Sequence, residues 1–225
     1  MYFVFDAYGT LLDVNAAARE AAQEPEMAVI GDQWQSISTS WREKQLRYSW
    51  LCSMMGRYED FWSLTMRALD STLEEHGLLA NLYVRERLLA LYGRLSAFDE
   101  VSNVLAKLKQ NHIKTAVFSN ASPNMLAQAL SASQLDQYID ELISVDLIKK
   151  YKPAPEAYEL VTNRFSCMPE EITFFSSNNW DVSGACSFGF KTVWVNRMGI
   201  NWDNLPGSAD IVCGSIAEGL EALKV

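Results

Sequence analysis

Asp6 closes an apolar run, Tyr2-Phe3-Val4-Phe5, and is followed by Ala7-Tyr8-Gly9-Thr10-Leu11. The run reads as a buried strand, Gly9 as a turn, and Thr10 as a hydroxyl that bonds Asp6 or that turn. Burying a charge costs several kcal/mol unless it is paired. The first strand of an open α/β sheet delivers its last residue to the crevice where such folds bind ligands. Asp6 is therefore a candidate nucleophile. Three more polar groups follow later apolar runs: Ser119-Asn120, Lys152-Pro153 and Ser176-Ser177-Asn178-Asn179-Trp180-Asp181. Each has an ordinary reading by itself. Ser119-Asn120 and Asp181 could cap helices, Lys152 could be solvated, and Asp6 could be a turn residue. Four such groups on successive parallel strands, which share one carboxyl edge, point instead to one cleft.

The elements that must position these groups are legible as alternating patterns. Strands are expected at Tyr2–Phe5, Thr115–Phe118, Glu141–Val145, Ile172–Phe175, Lys191–Val195 and Asp210–Cys213. Helical patterns such as Val101–Lys109, Pro123–Ser131 and Pro155–Phe165 fall between them, which implies a parallel sheet. One connection is far longer than a crossover and reads as helical throughout. Trp34, Ile37, Trp41, Tyr48, Leu51 and Met55 keep a helical period, and Thr65–Glu75 and Val84–Tyr92 look like further helices. The expected organisation is a Rossmann-like α/β core, residues 1–13 and 98–225, with a helical domain inserted at 14–97.

Of the 225 residues 49% are apolar, enough for a large core, and the net charge is −9. With no cluster of Lys or Arg, neither nucleic acid nor an anionic membrane suits this surface. Cys52, Cys167, Cys186 and Cys213 are widely spaced, so neither a zinc site nor a disulfide framework is expected. The chain begins on a core strand and has no long apolar run. The expectation is a soluble cytoplasmic protein.

These motifs resemble those of the haloacid dehalogenase superfamily, and within it the L-2-haloacid dehalogenases. Asp6-x-Tyr8-Gly9-Thr10 is similar to their first motif and Ser119-Asn120 to their second. Tyr151-Lys152-Pro153, with Tyr158 six residues past the lysine, resembles the third, and Ser176-x-Asn178-x-Trp180-Asp181 the fourth. Trp41-Arg42-x-Lys44-Gln45-Leu46-x-Tyr48, Met55-Gly56-Arg57-Tyr58 and Phe61 resemble the family's cap, and Asn196-Arg197 also fits. Arg42 and Leu46, four apart, share a helix face and are expected to point at the cleft.

The resemblance implies a metal-independent and cofactor-free hydrolase that converts short L-2-haloalkanoic acids to D-2-hydroxy acids. Asp6 would attack C2 and form an ester, with Lys152 keeping it ionised. Arg42 and Asn178 would receive the halide. Ser119, Asn120 and the backbone N–H groups of Ala7 and Tyr8 would hold the substrate carboxylate. Asp181, with Asn178 and Lys152, would direct water at the ester. Ser176 belongs to the fourth motif, and Tyr158 would support Lys152 or Asp6. Tyr8, Leu46, Phe61 and Trp180 would line the pocket. Relatives are typically homodimers.

Two other readings compete: a magnesium-dependent phosphohydrolase of the superfamily acting on a small phosphate ester, and a non-catalytic binding protein. Phosphohydrolases resemble one another in an Asp-x-Asp first motif whose second acid protonates an alkoxide. Tyr8 stands there and is a poor proton source at neutral pH. Asn178 stands where a metal-binding acid is expected. Glu43, beside Arg42, would weaken anion binding if it faced the cleft and change nothing if it faced solvent. Ser177 and Asn179 read as loop residues.

Overall fold

The computed structural model describes residues 2–225. Its core is a six-stranded parallel sheet: β1 (Tyr2–Phe5), β2 (Thr115–Ser119), β3 (Glu141–Ser144), β4 (Ile172–Ser176), β5 (Lys191–Val195) and β6 (Ile211–Cys213), in the order β3-β2-β1-β4-β5-β6. β1 lies between β2 and β4, so the winding direction reverses beside it. In such sheets the ligand crevice opens at that switch, outside the carboxyl ends of the strands. Phe3, Val4 and Phe5 are fully buried, as both faces of this sheet are covered. Helices α5 (Val101–Gln110), α6 (Pro123–Ala132), α7 (Pro155–Phe165), α8 (Asn179–Phe188) and α9 (Ile216–Ala222) complete this part.

Between β1 and α5 the named elements are all helical: α1 (Ala16–Ala21), a 3₁₀ stretch (Pro25–Gln33), α2 (Trp34–Met54), α3 (Phe61–Glu75) and α4 (Leu82–Tyr92). The chain leaves and returns side by side. Leu12 bridges Ala97, Asp13 N–H donates to Ser96 O at 2.9 Å, and Phe98 N–H to Leu11 O at 3.1 Å. Asp60 starts α3 a turn earlier than periodicity suggests, because its carboxylate accepts from the Trp62 and Ser63 amides.

Three local expectations differ from what is found. Val145 begins a 3₁₀ turn rather than ending β3. Asp210 lies outside β6, and its carboxylate instead accepts from the Thr192 N–H at 2.7 Å. The α2 stripe also shifts. Leu51 and Met55 are 44% and 63% exposed, while Lys44, Gln45 and Ser49 are buried. Gln45 can be buried because Nε2 donates to Thr65 Oγ1 and Tyr92 Oη, and Ser49 because Oγ donates to Leu46 O. Hydropathy does not register polar groups satisfied in this way. No helix among the described residues is long and apolar enough to cross a membrane.

Candidate active site

Asp6 follows β1 directly, and its own N–H is held by Phe175 O at 2.9 Å. The carboxylate is 5% exposed and fully engaged. Oδ1 accepts from Lys152 Nζ at 3.1 Å, and Oδ2 accepts from Thr10 Oγ1 at 3.0 Å and Asn178 Nδ2 at 2.9 Å. Lys152 reaches in from the loop after β3 and is 1% exposed. Its three N–H donors meet Asp6 Oδ1, Phe118 O at 3.1 Å and Asp181 Oδ2 at 2.6 Å. A buried ammonium is tolerated because no donor is left unpaired. The lysine backbone is bracketed as well: its N–H donates to Asn120 Oδ1 at 2.8 Å, and its carbonyl accepts from Trp50 Nε1 at 3.1 Å.

Asp181, on the first turn of α8, is fully buried. Its Oδ1 accepts from Tyr158 Oη at 2.8 Å and Oδ2 from Ser176 Oγ at 3.3 Å. Tyr158 therefore bonds Asp181, not Lys152 or Asp6 as expected from the sequence. Burial raises the Asp181 carboxyl to about 6, opposed by the Lys152 charge and aided by that of Asp6. Burial likewise pushes the Tyr158 and Tyr8 hydroxyls far above their ordinary value.

Nine side chains enclose a cavity of only about 10 Å³: Asp6, Tyr8, Arg42, Leu46, Phe61, Ser119, Asn120, Lys152 and Trp180. Thr10, Tyr158, Ser176, Asn178 and Asp181 stand behind this wall, holding the residues that form it. Asn178 Nδ2 is committed to Asp6 and, at 3.3 Å, to Tyr8 O. Three kinds of donor are uncommitted. Asn120 Nδ2 is buried without a partner, and no protein acceptor among the described residues meets the Ala7 or Tyr8 N–H. The Ser119 hydroxyl oxygen accepts from the Ala121 N–H at 3.1 Å, which leaves its proton free. From the insert, Arg42 bonds Tyr8 O at 3.1 Å and Gln45 Oε1 at 2.8 Å. Glu43 faces solvent.

Residues 1–189 match the haloacid dehalogenase-like hydrolase family. The chain belongs to that family. It is 47% identical over 195 residues to (S)-2-haloacid dehalogenase 1 of Pseudomonas sp. (strain CBS-3), covering 87% of this chain and 84% of the relative. Haloacetate dehalogenase H-2 of Moraxella sp. (strain B) is 38% identical, with 92% and 90% covered. The L-2-haloacid dehalogenase of Xanthobacter autotrophicus, solved with chloropropionic acid covalently bound, superposes with a TM-score of 0.89 at 32% identity, covering 100% and 99%.

This haloacid dehalogenase-like hydrolase also uses residues that their types alone did not single out. Ser177 is no loop filler: its N–H donates to Thr10 Oγ1 at 2.9 Å and its Oγ to Gly9 O at 2.6 Å. Asn179 Oδ1 accepts from the Trp180 N–H. Gln45 links Arg42 to Tyr92, whose ring stacks on Tyr8 at 5.7 Å. Arg197 donates to Thr10 O at 3.0 Å, pairs with Glu100 at 2.6 Å and lies 3.9 Å over the Phe98 ring. For Gln45 the i, i+3 spacing from Arg42 was a signal available in the sequence.

Proposed function

We propose that this chain hydrolyses short L-2-haloalkanoic acids to D-2-hydroxy acids through an ester on Asp6, without a metal. Tyr8 carries the reading. It occupies the position from which an acid would protonate an alkoxide, and burial holds its proton too tightly to give away. Halide, a weak base, needs no proton to leave.

Asp6 Oδ1 has one hydrogen-bond donor against two on Oδ2, so it keeps the lone pair for attack. Displacement at C2 forms the Asp6–C2 bond, breaks the carbon–halogen bond and inverts the centre. Negative charge passes from the carboxylate to the halide. Arg42, on the cavity wall, meets that charge where it develops. The free Asn120 amide, the Ser119 hydroxyl and the Ala7 and Tyr8 N–H groups take the substrate carboxylate. Water then adds to the ester carbonyl while Asp181 accepts its proton. Collapse expels the hydroxy acid, which takes a proton, and leaves one solvent oxygen in Asp6. Residues 14–97 act as a cap that supplies Arg42, Leu46 and Phe61. The protein works in the cytoplasm as a homodimer, for which exposed Leu51, Met54 and Met55 offer apolar surface.

Halide release from L- and D-2-chloropropionate in the presence of a chelator tests the reading. Release from the L form alone, with D-lactate as product, supports it. Release from neither, or dependence on magnesium, sinks it. Single turnover in labelled water should place one heavy oxygen in Asp6.

A further inference from the structure

A cavity much larger than the catalytic one lies outside the catalytic site. It measures about 820 Å³, within the range of small-molecule pockets. Trp50 and Met54 of α2, Pro153 behind the catalytic lysine, Trp180 and Phe188 of α8, and Leu205 give it mainly apolar walls. Trp180 is the residue that lines both this chamber and the 10 Å³ cavity. The Trp50 ring meets Trp180 edge-on with centroids 5.3 Å apart. Its indole N–H is anchored on the Lys152 carbonyl at 3.1 Å. Trp180, with Trp50 packed against it, thus separates a nearly filled catalytic cavity from a roomy, open apolar chamber.

We propose that Trp50 determines substrate chain length: by backing Trp180 it keeps the alkyl tail of a longer 2-haloalkanoic acid out of the chamber that would otherwise receive it. The inference rests on the dehalogenase reading above. The side chain on C2 is a methyl group in 2-bromopropionate and a butyl group in 2-bromohexanoate. The cavity of about 10 Å³ must widen to take even the methyl group, and a butyl group asks for three methylenes more, for which the space behind Trp180 has ample apolar volume. Without the Trp50 ring, Trp180 can turn into the vacated space and join the two.

The test compares kcat/KM for L-2-bromopropionate and L-2-bromohexanoate, which share a leaving group, in wild type, Trp50→Ala and Trp50→Phe. Each buried methylene contributes about fourfold, so opening the chamber should raise the hexanoate-to-propionate ratio at least about tenfold, with a ceiling near ~60-fold. Trp50→Ala should show that rise and still turn over bromopropionate. Trp50→Phe keeps an aromatic wall without the N–H, and its ratio should stay near that of wild type. An unchanged ratio in an active Trp50→Ala enzyme overturns the proposal, as does an equal rise in Trp50→Phe, which would trace the effect to the hydrogen bond. If Trp50→Ala does not fold, Trp50→Leu carries the same comparison. A wild-type enzyme inactive on both acids removes the dehalogenase reading and this inference together, whereas a flat ratio in active variants removes the inference alone.

Discussion

Three buried ionisable groups share two short contacts at the centre of this site, and each limits what the others can be. Lys152 satisfies two carboxylates with one charge, so the trio carries an excess negative charge in a dry environment. Burial, with the Asp6 charge adding to it and the Lys152 charge opposing, raises the Asp181 carboxyl to about 6. A proton acceptor tuned there is well matched to neutral pH. The kcat–pH profile should therefore fall about tenfold per unit below pH 6 as Asp181 takes up its proton. Asp6→Asn should lower kcat by at least about 10⁴-fold, since no other group can form the ester. The same shift acts on stability with the opposite sign from an ordinary paired carboxylate. The native state binds this proton more tightly than the unfolded chain does, so the group's contribution is present below its ordinary 3.8 and is lost as pH rises to about 6. Denaturant midpoints should show Asp181→Asn gaining on wild type across that window.

Elements meet the site through close approaches that tolerate little added volume. Helix α8 passes α7 at Gly184, where a Cβ would lie 2.4 Å from Tyr158 Oη and 2.8 Å from Pro153 Cβ. Gly184→Ala should push Tyr158 away from Asp181, cost about 1–3 kcal/mol of stability in a denaturant titration, and lower kcat more than it changes KM. The turn after β1 has a comparable support. Arg197 spans the Gly9 and Thr10 carbonyls, Glu100 and the Phe98 ring. A lysine is a point charge without the planar fork. Arg197→Lys should therefore lower kcat by up to about 10²-fold through misplacement of Asp6, with KM and the pH profile little changed. Steady-state kinetics would show an altered pH profile instead if Arg197 acted on proton transfer.

At the scale of the whole molecule, a cavity of about 10 Å³ admits at most a water, and we propose that residues 14–97 act as a cap that moves to admit the substrate. The contacts across the mouth differ from those at the hinge. Tyr151 N–H donates to Ser53 Oγ at 3.0 Å, Tyr58 Oη donates to Asp146 Oδ1 at 2.6 Å, and Trp50 holds the Lys152 carbonyl. The hinge keeps backbone bonds between Asp13 and Ser96 and between Leu11 and Phe98. Hydrogen exchange should be slow at the Asp13 and Phe98 amides with or without ligand. At the Tyr151 amide it should be faster in the free enzyme and slow down when the product D-lactate is added. Equal protection of Tyr151 in both states would show that access does not open at this mouth.

Much of this was legible in the chain itself. Strand periods are local, and each strand end falls within a few residues of a polar group, so the order of elements and the gathering of Asp6, Ser119, Lys152 and Asp181 at one edge follow from sequence. So does the helical character of residues 14–97, because hydrophobic period is also a local property. Partners far apart in sequence were not legible. Tyr158 could have supported Lys152 or Asp6, and only the packing of α7 on α8 assigns it to Asp181. The burial of Gln45 and Ser49 depends on acceptors that other segments or the helix's own backbone supply. Glu43 could have faced the cleft or the solvent until the rotation of α2 was set by its contact with α3. The volume of the catalytic cavity and the chamber behind Trp180 are differences between large packed volumes. Such differences exist only once every wall is in place, which is why tertiary structure alone decided them.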